Sequence, residues 1–458
     1  MKKIKVFILT ICLLLLCAVT ACDGENDGKK HIIFYAWGNN LEIANIQTMV
    51  DDFNSKNEDI VVEIERSTSD DNAAAIKGRF STKSEPDIFY IDPGEISAFI
   101  RNGYILDLTD YINQDGGLEE NDLWEYNDLY RYNEKGIRDK NGKLYGVIKD
   151  LSPDFMLFYN KSHIDEYNRS HPNNQLSYPS ETIPMTWYEY MELAKKMTIR
   201  NGNTFQRYGT VLNYVPIKHL TEMIQQTGTS VFNKDYTGLN ITNSQIDEKM
   251  FEAFQFFYDL QVGSDAPSQY VASSLISPGD MFRNGEVFSV FYGRWAVVAY
   301  DWDIKDIGIA PPPVYERVNN NETDNYGVTS GTIGYAISSR TKYPAETYKF
   351  LEYCMTDGAE FMAEIGFNVP GNKTIAKSTF INVEDPDAKK LNELFVWYLE
   401  NYTHVIETSP YISANKFDQI IYQELAKAYQ GKQTLSAAIK VANGKILTET
   451  ELNKKKMN

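Results

Sequence analysis

From residue 31 the chain alternates between two hydrophobic periods. His31-Ile-Ile-Phe-Tyr-Ala-Trp37 predicts a short strand, stopped by Gly38-Asn39-Asn40. Leu41 to Lys56 carries apolar residues at Ile43, Ile46, Met49, Val50 and Phe53, the period of an amphipathic helix. Asp59 to Glu65 predicts a second strand, Asp71 to Ser81 a helix, and Pro86 to Asp92 a third strand closed by Pro93-Gly94. Strands alternating with helices imply parallel pairs joined by helical crossovers. An open sheet of that kind takes ligands beyond the carboxyl ends of its strands. Those ends carry Trp37, Gly38 and Asn39, and Tyr90, Ile91 and Asp92.

Further along, Asn141-Gly142 predicts a hairpin turn into the strand Lys143 to Ile148. Lys149 to Asp154 reads as a turn, and Phe155 to Tyr159 as the next strand. Thr186-Trp-Tyr-Glu189 is a capping box, threonine at the cap and glutamate three on, opening a helix that runs to about Arg200-Asn201-Gly202. Asp247 to Val262 is helical. Met281 to Val314 then predicts two strands, Val287–Tyr292 and Ile307–Ala310, around a short aromatic helix. Gly293-Arg294-Trp295 breaks the first strand, and three prolines end the second. On this stretch alone Trp295 reads as core. Gly331 to Ser338 is a strand, Pro344 to Met355 a helix, and the tail from Asp387 is mainly helical.

The amino terminus differs in kind. Lys2, Lys3 and Lys5 precede an apolar run, Val6 to Val19, which is short for a membrane span and has the form of a secretory signal. It ends in Val19-Thr20-Ala21-Cys22, the pattern of a bacterial lipobox, whose cysteine thiol receives diacylglycerol before cleavage. Residues 1–21 are thus expected to be removed and residues 22–30, polar and glycine-containing, to form a tether. With more than one acyl chain Cys22 becomes a firm anchor.

Composition narrows the function. The chain has 458 residues, enough for two domains or lobes, and a net charge of −18. Loss of the signal removes three lysines and makes it more acidic. Such a surface argues against nucleic acid as partner. Of four cysteines, Cys12 and Cys17 lie in the signal and Cys22 in the lipobox. Cys354 is left alone in an apolar helical pattern, as buried packing without a disulfide. The 31 Tyr, 23 Phe and 6 Trp suit carbohydrate, whose apolar faces stack on rings, and equally suit large cores.

Taken in order, several stretches resemble the family 1 extracellular solute-binding proteins, the sugar-binding lipoproteins of ABC importers related to maltodextrin-binding protein. They are the lipobox, Phe34-Tyr-Ala-Trp-Gly38, Glu85–Gly94, Gly103–Thr109, Leu144–Asp150, Leu157–Lys161, Pro184–Glu189, Met281–Glu286 with Gly293-Arg-Trp295, Gly331–Ser338, Ala345–Leu351 and Gly366–Pro370. The resemblance implies an α/β, two-lobed periplasmic-binding-protein-like fold of type II, with the ligand cleft between lobes joined by hinge crossings. Crossings would fall near Tyr145–Ile148, Ile307–Pro313 and Gly366. That gives lobe 1 as 31–147 and 308–365, and lobe 2 as 148–307 and 366–458. Ligand binding would close the lobes by hinge motion.

The resemblance also turns Trp295 into a stacking platform for sugar, with Trp37 and Tyr90 as alternatives. Asp92 and Asp150 would accept hydrogen bonds from sugar hydroxyls, Lys149 and Arg294 would donate, and Asn39 would do both. Each of these charged and amide groups also has a plainer reading as a helix cap or a solvated loop residue. Gly331 and Thr332 would present backbone amides. Pro153 stands where maltodextrin binders place an acid, which argues against oligomaltose. The implied partners are a sugar or oligosaccharide, the transmembrane subunits of an ABC permease, and the membrane through the lipid anchor. The protein would act as a monomer on the extracytoplasmic face of the cell membrane, with no cofactor and no catalysis.

Other chemistry finds little support. The five histidines are scattered and form no H-E-x-x-H pair. No Gly-x-Ser-x-Gly elbow occurs. Tyr111 to Asp122 approximates a calcium loop but has Tyr111 first and Asp122 last, and reads as an ordinary polar loop. Two suitably spaced carboxylates would suffice for a glycosidase, so a secreted glycoside hydrolase is the competing class. A receptor for a peptide or polyamine on the same fold is the third.

Overall fold

The computed structural model describes residues 28–457, apart from 70, 113, 115–117, 203, 212–215, 263–276, 315–327 and 405–406. The expected signal, Cys22 and most of the tether lie outside the described residues, as does part of the 111–122 loop. Two sheets organise the rest. The opening strands are β1 (Lys30–Ala36), β2 (Ile60–Arg66) and β3 (Ile88–Ile91), joined by α1 (Asn40–Lys56) and α2 (Asn72–Thr82). β1 pairs in parallel with both β2 and β3, as the alternating periods imply. The expected break at Pro93-Gly94 instead starts a helix, α3 (Pro93–Arg101). Proline fits a helix's first turn, where its missing N–H costs nothing, and Asp92 caps it.

The segment expected as a turn, Lys149 to Asp154, is mostly strand. β4 (Val147–Pro153) is buried along its whole length, Lys149 and Asp150 included. Its charged centre conceals a strand that is covered on both faces. The chain then turns at Asp154-Phe155 into β5 (Met156–Asn160), which belongs to the second sheet. The passage between sheets therefore falls after β4, later than residue 147. The helix opened by the Thr186–Glu189 capping box ends at Met197 rather than near Gly202. A hairpin follows, β6 (Ile199–Asn201) and β7 (Thr204–Val211). β8 (Val287–Tyr292) and β9 (Ile307–Ala310) complete a five-stranded sheet in the order β9-β5-β8-β7-β6.

The chain returns to the first sheet with β10 (Val328–Ile337), which runs antiparallel between β3 and β4. Since β10 opposes both, β3 and β4 run the same way, and the carboxyl ends of β1, β3 and β4 share one edge. β11 (Val369–Pro370) adds to β4, and β12 (Thr403–His404) to β10. The first sheet's core packs α1 and the helix Pro344–Met355 through Phe34, Phe53 and Phe350, with ring centroids 5.0–5.5 Å apart. Cys354 is buried there, its thiol pKa pushed up by desolvation. In the second sheet Tyr190, from the capping-box helix, bonds Thr210 and Ser289 on two neighbouring strands. The final helices, α4 (Ala414–Tyr429) and α5 (Leu435–Met457), pack on each other and on the helices Pro216–Gln226 and Glu248–Val262 beside that sheet. Among the described residues no helix is long and apolar enough to cross a membrane.

Candidate functional site

The shared edge of β1, β3 and β4 carries a buried charged cluster. Lys149 lies one residue before Asp150 on β4 and bonds its carboxylate. The Lys149 ammonium also lies 3.4 Å from Glu42 Oε1 and 4.9 Å from the centre of the Tyr90 ring. Burial alone would lower the pKa of this amine. Asp150, Tyr90 and Glu42 more than offset it, and the net shift is upward. Glu42 is held above the usual carboxylate range, first by burial, with the charge of Asp150 adding and Lys149 opposing. From the other side Asn368 Nδ2 lies 3.4 Å from Asp150 Oδ1. The cluster thus consists of one cation between two acids, set on an aromatic face.

Five residues expected at the site meet here. Trp37 packs edge-on to Tyr90, with centroids 5.3 Å apart, and is half-buried, while Tyr90 is fully buried. Asn39 caps α1, its Oδ1 accepting from the N–H of Glu42 at 2.9 Å. That bond fixes Glu42 in the first helical turn, where a carboxylate also suits the helix dipole. Glu42 itself escaped sequence reading. Its only signal was its place three residues after Asn39, which marks the N3 position of a capped helix.

Trp295 belongs to a second group. Gly293 ends β8 and passes so close to the β4–β5 turn that a Cβ there would stand 2.1 Å from Ser152 Oγ and 2.3 Å from Asp154 Oδ1. This approach places the next residues. Trp295 is half-buried, its indole N–H donating to Asp154 Oδ1 at 3.1 Å and its ring edge-on to Tyr292 at 5.4 Å. Arg294 points elsewhere. It is 2% exposed, its Nε donating to Asn392 Oδ1 at 2.9 Å, and burial brings its pKa down to about 10. A Cβ on Gly366 would stand 3.0 Å from Arg294 Nη2, and Gly366 has a φ of +60°, so glycine is doubly required there.

Of the remaining expected residues, Asp92 follows β3, and Gly331 and Thr332 lie on β10 beside β4. Asp92 is exposed and caps α3, accepting from Gly94 N at 2.7 Å. Thr332 is buried and pairs with Leu151, the residue after Asp150. The Gly331 backbone pairs with Ser152 in the sheet.

A cavity of about 450 Å³ opens between the start of α3 and the layer beside the second sheet. Tyr132 and Arg138 line it on one side, Gln225 and Tyr236 on the other, and Thr408–Pro410 along the seam. Arg101 and Arg138 reach the seam, bonding Pro410 O and Thr408 Oγ1. These residues come from separate helices, strands and loops that share no motif, and sequence reading missed them. No cluster that would hold a metal ion occurs among the described residues.

Known structures share this architecture. An ABC substrate-binding protein of Listeria monocytogenes, solved in complex with cycloalternan, matches with a TM-score of 0.74 at 20% identity, over 92% of this chain and 98% of that one. A solute-binding protein of Thermotoga lettingae bound to α-D-tagatose matches with 0.71 at 17%, over 92% and 100%. The maltose/maltodextrin-binding domain of Bdellovibrio bacteriovorus bound to maltotriose matches with 0.68 at 18%, over 93% and 100%. At these identities the likeness is one of fold, and the fold is the two-lobed, hinged one. Residues 48–390 also match the profile described as bacterial extracellular solute-binding protein. With that match spanning most of its length, the chain belongs to the bacterial extracellular solute-binding proteins.

Proposed function

We propose that this protein captures a sugar or oligosaccharide outside the cytoplasm and delivers it to the permease of an ABC importer, without catalysis. The observation that carries this reading is the pairing of rings with fixed acids at strand ends of both sheets. Half-buried Trp37 stands near the Lys149–Asp150 pair, and half-buried Trp295 is bonded to Asp154. A ring supplies an apolar face for a pyranose, and a carboxylate held by its neighbours accepts from hydroxyls. The sugars in the complexes of the Listeria, Thermotoga and Bdellovibrio proteins support the same ligand class.

In this reading Trp295 is the platform, and Trp37, Asn39, Asp92, Lys149 and Asp150 are polar or stacking contacts from the first lobe. Tyr90 and Thr332 act from beneath, Gly331 through its backbone, and Arg294 by bracing the turn that presents Trp295. The strand pairing supports lobes that exchange at Asp154-Phe155 and again between Ala310 and Val328. Residues 1–21 serve as a signal, and Cys22 carries the lipid that holds the monomer at the membrane. Labelling with a radioactive fatty acid should be lost in Cys22→Ser.

The test is tryptophan fluorescence of the soluble chain from residue 23, titrated with mono- and oligosaccharides. A saturable change is expected with one sugar class, weakened about 30-fold in Trp295→Ala, the loss of about 2 kcal/mol typical of a central aromatic contact. The reading fails if no sugar changes the emission or raises the melting temperature, which would point to a peptide or polyamine. New reducing ends on incubation would instead mark a glycosidase.

A further inference from the structure

A ring serves as a platform for sugar only when its face is held in one orientation. Tryptophan has a single side-chain donor, the indole N–H. In Trp295 that donor is turned inward, to Asp154 Oδ1 at 3.1 Å. The ring also meets Tyr292 edge-on at 5.4 Å and lies tilted by 40° to Tyr300 at 6.3 Å. Ring contacts tolerate a range of angles, whereas an N–H···O bond weakens steeply away from linearity. The bond to Asp154 is thus what fixes the edge of the ring.

That bond joins two parts of the molecule. Asp154 follows β4 of the first sheet, where the chain passes to the second, and Trp295 follows β8 of the second. β8 brings them close by pairing with β5, Tyr292 opposite Met156. Gly293 completes the approach. A Cβ there would stand 2.3 Å from the same Oδ1 that accepts from the indole, and 2.9 Å from Trp295 Cδ1. The carboxylate therefore fills the space that a side chain at position 293 would take. Ser152 Oγ lies in the same space and has no hydrogen-bond partner among the described residues, so Asp154 is the side chain there that is committed to the ring.

We infer that Asp154 is a positioning residue of the sugar site, which holds the Trp295 ring with a face toward the ligand and acts on affinity through that ring. The inference rests on the sugar-receptor reading and narrows it, since this part needs no contact between Asp154 and the sugar. It also accounts for the residue type. An indole can only donate, and a carboxylate is a stronger acceptor than an amide or a hydroxyl.

The experiment is a mutant cycle on the soluble chain from residue 23, with calorimetric affinities for the sugar found by titration. Asp154→Ala should bind about tenfold more weakly, while Asp154→Asn, which keeps an oxygen in the same place, should stay within about threefold. Trp295→Phe keeps a ring without an N–H, so on that background Asp154→Ala should cost less than about twofold. A ring released from its bond meets solvent more often. Acrylamide should therefore quench ligand-free Asp154→Ala more than the unmodified chain, and the excess should vanish on the Trp295→Phe background. Melting curves check that each variant folds. If Asp154→Ala does not, Asp154→Ser takes its place, its hydroxyl being too short to reach the indole. An affinity equal to the unmodified chain's, or a loss undiminished in Trp295→Phe, overturns this inference and leaves the receptor reading intact. The quenching needs no sugar. An excess without binding of any sugar overturns the receptor reading and keeps Asp154 as the holder of the ring, and neither excess nor binding overturns both.

Discussion

Replacing Lys149 by methionine keeps the length of the side chain and removes its charge. What remains is Glu42 and Asp150, two acids that the ammonium separated, in a place where their side chains and that of Lys149 are no more than 11% exposed. Solvent cannot take over the role of the cation. Breaking a buried ion pair from one side costs about 3–5 kcal/mol, because the surviving charge stays buried. Methionine recovers some packing over the Tyr90 ring, so the lower end, about 3 kcal/mol, is expected at pH 7.

The pH dependence has a definite sign. The pKa of Glu42 is already raised, and losing Lys149 raises it further. A carboxyl raised by folding contributes stability that is full below its unfolded value, about 4.3, and is lost as pH rises through the folded value. Lys149, shifted upward, stays charged over this whole window and adds no slope of its own. The deficit of Lys149→Met should therefore grow between pH 5 and pH 7. Urea unfolding followed by circular dichroism at both values measures it. Adding Glu42→Gln and Asp150→Asn to Lys149→Met should return most of the loss at pH 7. A deficit under about 1 kcal/mol at pH 7, or one that is the same at both values, refutes the view of this cluster as a tightly coupled buried triad.

Three further outcomes are expected. Gly293→Ala forces a Cβ onto Ser152 Oγ and Asp154 Oδ1 and should cost about 1–3 kcal/mol in urea unfolding, with part regained when Ser152→Gly is added. Thr186→Ala removes the side-chain half of the capping box, the hydroxyl that accepts from Glu189 N, and should cost about 1 kcal/mol, while Thr186→Ser should be near neutral. Glu424 is buried, which raises its pKa, but Lys427, Lys445 and Gln433 bring it down to about 2. Its contribution is present above the unfolded carboxyl value and lost as pH falls toward 2, so Glu424→Gln should cost about 1–3 kcal/mol at pH 7 and far less at pH 2.5, by the same assay.

Local signals carried most of the fold. The three opening strands, the helix between the first two, and Val287–Tyr292 stand where their apolar periods put them, because each buries one side or both in a core. Lys149-Asp150 misled for a definable reason. A charged pair reads as exposed unless its counter-charge is known, and Glu42 is more than a hundred residues away in the chain. Pro93-Gly94 reads as a breaker, since a proline that ends a strand and one that begins a helix look alike locally. Around Trp295 the residue types were legible, but the hydrogen bond to Asp154 depends on the near-contact at Gly293, which pattern cannot show. The Arg138 cavity was beyond reach. Its walls come from four separated segments, and only the closed shape of the chain brings them together.

The placement of β10 has a consequence for how the protein is made. It sits between β3 and β4, so the first sheet lacks a strand near its centre until residues 328–337 have left the ribosome. The first 153 residues therefore cannot settle into a finished lobe while synthesis continues. Contacts of such long sequence separation also form slowly, since the cost of closing the loop precedes the gain. Under the export proposed above, that delay would be useful, since a late strand would keep the leading half threadable until it had passed through the membrane.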